Sequence, residues 1–172
     1  MYFLIDELKK LSQKKKTYFA ACCVERVVQI YEFNYDNTIV EPRNIIETII
    51  SDLVSDKPDT AKTAKQREIL RDLIPDVDEM GSEFTPSMLA GVAMLHLLNC
   101  IISYNDADII NALEYSLQAV DSFSEYNEAG LAEEQLWHQK ALEIIRENEI
   151  YPLNEIRAIN EADPKWSELW RD

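Results

Sequence analysis

Met88–Ile102 reads MLAGVAMLHLLNCII, and the fold turns on how this stretch is taken. It is the longest apolar run in the chain. As an α-helix it spans about 23 Å, short of a bilayer core of about 30 Å. It also carries His96 and Asn99. The expectation is a buried central helix near 86–104, not a membrane span. Just before it, Thr85-Pro86 is a strong start signal, with a hydroxyl at the N-cap and proline at the first helical position.

Working outward, the rest of the chain also reads as helix. Residues 2–12 form a short first helix, and 17–34 (TYFAACCVERVVQIYEFN) a longer, mostly apolar one. Glu41-Pro42 opens a third over about 42–55, with Ile45, Ile46, Ile49, Ile50 and Leu53 at three/four spacing. Asp59-Thr60 caps a fourth, ended by Pro75. Asn105 caps a helix over about 106–127, with Asp106 and Asp108 favourable to its N-terminal dipole and Ile110, Leu113, Leu117 and Val120 on one stripe. Gly130 precedes a helix over about 131–149. Residues 151–172 form a tail with a short turn of helix after Asp163-Pro164, around Trp166 and Trp170. No period-2 strands are found. Only three Gly and six Pro in 172 residues agree with long helices. The fold class is all-α: one domain over 1–172, a bundle of seven or eight helices.

Three places in this series resemble the bacterial domain of unknown function 416 family. YFAACCVERVVQIYEFNYD is similar to its second helix, with Cys and small residues leading into Glu25-Arg26. IPDVDE followed by SMLAGVAMLHLL resembles its acidic loop and central helix. LWHQKALEIIREN resembles its late helix. Together they cover roughly residues 1–150. The resemblance implies a helical fold and a bacterial source, and no activity.

Chemistry must therefore be sought in the residues. Asp6 and Glu7 interrupt what an export signal would need as an apolar core, so a cytoplasmic location is expected. Cys22, Cys23 and Cys100 are odd in number and two are adjacent, a poor disulfide framework; they read as reduced core thiols. Asp76, Asp78 and Gly81 fit positions 1, 3 and 6 of a calcium loop, but Met80 and Ser87 fail positions 5 and 12. Neither His96 nor His138 sits in a metal-binding spacing. His96 reads as a core histidine with a satisfied ring, His138 as a helix-surface residue. No nucleophile motif or glycine-rich phosphate loop is present. No enzyme activity, metal or cofactor is expected. Glu25 and Arg26 point about 100° apart on one helix, so one of them is expected to be buried and paired across the bundle.

Charge is the informative property. The net charge is −15, and residues 1–72 contribute 12 acids and 12 Lys/Arg. All of the excess lies in 73–172. Between Arg71 and Lys140 there is no Lys or Arg, while Asp72–Glu134 supply 13 acids. Such a field repels nucleic acid and anionic membrane and attracts basic proteins. The one basic cluster, KKLSQKKK at Lys9–Lys16, lacks an aromatic platform for nucleic acid. If the last three long helices run up, down and up, Asp76, Asp78, Glu79, Glu83, Glu125, Glu128, Glu133 and Glu134 gather at one pole. Phe84, Tyr104, Phe123 and Tyr126 are expected among them. The expected partner is a basic protein, and the expected role is an immunity-type inhibitor of a cationic toxin domain such as a nuclease, as in contact-dependent growth inhibition. The alternative is a small-ligand or enzymatic pocket near Glu25, Arg26 and His96.

Overall fold

The computed structural model describes residues 2–34, 42–55, 59–123, 129–149 and 151–161. The described residues form α1 (Tyr2–Leu8), α2 (Gln13–Asn34), α3 (Pro42–Val54), α4 (Thr60–Leu73), the single turn α5 (Val77–Met80), a 3-10 turn (Ser82–Phe84), α6 (Thr85–Ser103), α7 (Asp106–Phe123), α8 (Ala129–Glu147) and α9 (Leu153–Glu161). There is no strand among them, and the protein is an all-α bundle.

Two helices make the centre. α6 is packed by α2, α4 and α7, so the apolar run faces protein. α2 is enclosed more completely: every residue from Thr17 to Tyr31 is buried, beneath α3, α6, α7 and α8. α6 instead keeps a half-buried outer stripe that includes Met88, Val92, Leu95, His96 and Asn99. Small residues let the two helices approach. Ser87 Oγ donates to the Ile30 carbonyl at 3.0 Å. A Cβ on Gly91 would lie 2.9 Å from Ile74 Cγ1 and 3.3 Å from Tyr31 Cε2, so this position has no room for a side chain. Tyr31 Oη closes the end of α4 by donating to the Leu73 carbonyl at 2.8 Å. The isoleucine stripe of α3 (Ile45, Ile46, Ile49 and Ile50, with Leu53) is buried throughout, as its spacing requires.

Most boundaries follow the sequence signals. Asp59 Oδ1 accepts from Lys62 N at 2.9 Å, and Asn105 Oδ1 from Ala107 N at 2.9 Å. Thr85 differs. The 3-10 turn runs directly into α6, Thr85 is already helical, and Pro86 lies within the first turn, so the expected hydroxyl cap is not formed. α6 ends at Tyr104, whose left-handed backbone (φ 52) directs its N–H to the Cys100 carbonyl. Residues 153–161, read as tail, fold as α9 and dock on the bundle through fully buried Ile156. The expected turn around Trp166 and Trp170 lies outside the described residues.

Side-chain contacts fix the directions. Gln13 reaches the Tyr104 carbonyl and Ser87 reaches Ile30, so α2 and α6 are antiparallel. Lys15 meets the Asn148 carbonyl while Arg26 meets Glu134, so α2 and α8 are antiparallel too. α6 and α8 therefore run one way and α7 the other. The starts of α6 and α8 and the end of α7 share one pole of the bundle.

Candidate functional site

Three polar groupings stand out, and they are separate. The deepest lies where α2 faces α8 and α9. Arg26 is 1% exposed and Glu134 is 1% exposed; Arg26 Nε donates to Glu134 Oε2 at 2.7 Å. Arg26 Nη1 also donates to Asn160 Oδ1 at 3.3 Å, and its guanidinium lies 4.8 Å from the Trp137 ring centre. His138, wholly buried, brings Nε2 to 3.5 Å from Glu134 Oε1, a contact too loose to be a full hydrogen bond. One face further round, Glu25 accepts from Arg157 through Nε (3.1 Å) and Nη2. Both members of the Glu25-Arg26 pair are thus buried, each with its own partner on another helix. Burial pushes the Glu134 carboxyl up, but the approach of His138 and the charge of Arg26 more than offset this and hold it below the ordinary value.

This arrangement corrects three expectations. Glu134 is not part of the exposed acidic pole; it is committed to Arg26 inside the bundle. His138 is not a surface residue but packs edge-on against Phe19 at 5.9 Å. The reason is one stripe on α8: Glu134, Trp137, His138, Ala141, Leu142 and Ile145 recur at three/four spacing and all face inward. That stripe is readable in the sequence, with two polar residues among its apolar ones. Third, His96 does not join Glu25 and Arg26. It sits between α6 and α7, with Nδ1 2.9 Å from Asp108 Oδ1 and its ring stacked on Tyr115 at 5.5 Å. This second grouping ties the α6–α7 pair, and its ring is satisfied by a carboxylate, partly exposed and not in the core.

The third grouping is the acidic pole. Asp76, Asp78, Glu79 and Glu83 are all exposed. Asp76 caps α5 by accepting from Asp78 N at 3.0 Å, and exposed Met80 lies among the four. Among the described residues none of these four carboxylates meets a Lys or Arg. Glu133 is also exposed, in the first turns of α8 at the same pole. Glu125, Tyr126 and Glu128 lie outside the described residues. Tyr104 does not belong here: it ends α6 at the opposite pole, about 28 Å away along the helix.

At that opposite pole several acids are matched by cations. Lys9 pairs with Asp6, Lys10 with Glu7, Lys16 with Asp106 and Arg146 with Glu7. Lys15 donates to the carbonyls of Asn148 (2.8 Å) and Arg146 (3.4 Å), closing the negative end of α8. A small apolar cleft of about 80 Å³ lies here between α1 and α7, lined by Ile5, Leu8, Ile109 and Ile110 with Lys9, Lys16 and Asp106 at its rim.

The thiols are buried inside the bundle. Cys22, Cys23 and Cys100 are free and buried. Burial pushes Cys22 and Cys23 well up from the ordinary thiol value, and Cys100 to about 11. Among the described residues no group of three or more His, Cys, Asp or Glu could hold a metal ion.

The fold and these groupings define a class: a helical bundle whose interior is crossed by buried ion pairs and whose one end is acidic. The chain belongs to the family described as protein of unknown function (DUF416), which matches residues 4–167. Comparison with curated proteins finds no match, and comparison with solved structures finds none.

Proposed function

We propose that this protein is an inhibitory binding protein of the immunity type, acting in the cytoplasm, which neutralises a basic toxin domain such as a nuclease by docking its acidic pole. One observation carries the reading. The exposed carboxylates of Asp76, Asp78, Glu79 and Glu83 meet no Lys or Arg among the described residues, whereas Asp6, Glu7 and Asp106 at the opposite pole are paired with lysine and arginine. A chain of this length has a radius of gyration of about 16 Å, and the Debye length is about 8 Å at physiological salt. Charges crowded on one pole therefore act on an approaching protein as one field. That field steers encounter with a cationic surface, and exposed Met80, with half-buried Phe84 beside it, supplies apolar contact. Glu134 has no part in this surface.

The test is co-purification with a basic toxin domain encoded by a neighbouring gene, at rising salt. A stable complex at low salt that weakens steeply as salt increases supports the proposal. No complex at low salt, or a complex indifferent to salt, ends it.

A further inference from the structure

α9 is lightly attached to the bundle. It has nine residues, too few to hold helical structure alone. Only Ile156 of its aliphatic residues is fully buried, with Leu153 and Ile159 partly so. Among the described residues the rest of its hold is polar, Arg157 on Glu25 and Asn160 on Arg26, with Tyr151 just before it packed on Tyr18 at 4.6 Å between ring centres. Arg157 is 40% exposed along its side chain, so water and salt reach this contact.

The carboxylate beneath α9 is also incompletely satisfied while covered. Glu25 Oε2 is buried without a hydrogen bond. A buried polar atom without a partner raises the free energy of the closed state, and water satisfies it on opening. The preceding helix, by contrast, is pinned at its end by Lys15.

We propose that α9 is a latched strap, which swings off the bundle at the joint after α8 and uncovers Glu25, Arg26 and Cys22 while α2, α6 and α7 stay folded. Segments with little buried apolar surface are the ones that open below the free energy of global unfolding. The latch is the Arg157–Glu25 contact. The protein carries its own reporter. Cys22 lies one turn before Glu25 and Arg26 on the covered side of α2, and both Glu25 and Arg157 act on its thiol. Cys23 instead senses Glu134 and Arg26, and Cys100 contacts Thr17 Oγ1 at 3.3 Å.

The full chain is exposed to iodoacetamide, and modification of each cysteine is followed by peptide mass spectrometry. Cys22 is expected to react ahead of Cys23 and Cys100. Arg157→Gln should speed Cys22 by about tenfold, equivalent to about 1.4 kcal/mol at 25 °C, and leave Cys100 unchanged. If that variant does not fold, as judged by circular dichroism, the wild-type chain decides: raising salt from about 0.05 to 0.5 M should speed Cys22 selectively. Reaction of all three thiols at one common rate overturns the strap. So does a folded Arg157→Gln variant with unaltered Cys22 kinetics, or a salt series without selectivity.

Discussion

Replacing Arg26 by Met is the most informative single change in the interior. The guanidinium is 1% exposed, bonded to Glu134 at 2.7 Å and to Asn160 at 3.3 Å, and set against Trp137. Methionine fills much of the same volume but leaves the Glu134 carboxylate buried without its counter-charge. Breaking a buried pair from one side costs about 3–5 kcal/mol. For a chain of this size that lowers Tm by about 10 °C. The double variant Arg26→Met/Glu134→Leu removes both charges together, and should lie within about 2 kcal/mol of the parent. Urea unfolding followed by far-UV circular dichroism gives the three free energies and the coupling between the sites. Acid sharpens the test. The Glu134 carboxyl is held below its ordinary value of 4.5 in the folded state. Its contribution is therefore complete above that value and disappears as pH falls through the lower folded value. The parent should lose stability in that window more steeply than the double variant. Arg26→Met within about 1 kcal/mol of the parent, or a double variant as unstable as the single, would refute the reasoning.

Other expectations follow from the same geometry. Reversing Asp76, Asp78, Glu79 and Glu83 to Lys should slow association with the basic partner by at least about tenfold at low salt, measured by surface plasmon resonance, with the helical signal intact. Gly91→Ala should destabilise by about 1–3 kcal/mol in urea, because the new methyl meets Ile74 at 2.9 Å. Asp59→Ala removes the cap on α4 and should cost about 1 kcal/mol, seen as faster amide exchange in that helix's first turn. Tyr104→Gly should be neutral or stabilising in thermal unfolding, since glycine enters the left-handed backbone without the side-chain penalty.

What the sequence disclosed was local. The spacing of Ile45, Ile46, Ile49, Ile50 and Leu53 announces one buried face, and Asp59 and Asn105 announce helix starts, because a cap and its helix are neighbours in the chain. Met88–Ile102 reads correctly as a helix packed by others, and its two polar residues, His96 and Asn99, mark the stripe that stays half-buried. Thr85 misled because the decisive feature, a 3-10 turn entering the helix, depends on Gly81 (φ 115), four residues earlier. Glu134 misled for a different reason. Its charge placed it with the surface acids, but its stripe with Trp137, Ala141 and Ile145 places it inside, and the cation that permits this is 108 residues away. Arg157 on Glu25 and Asp108 on His96 are likewise settled by tertiary approach. The segregation of unmatched acid was legible in the residue count. That Lys9, Lys10 and Lys16 are engaged at the far pole required the folded chain.

The Arg26–Glu134 contact also governs how this chain can vary over generations. An arginine cannot shed its proton to escape an apolar setting, so losing either partner strands a full charge in the interior. That deficit is a large fraction of the 5–15 kcal/mol by which domains typically stay folded. Positions 26 and 134 are expected to drift as a linked couple or to stay put. A lineage reaches an uncharged version by crossing a weakened intermediate, and that crossing is open only to a background with stability in reserve.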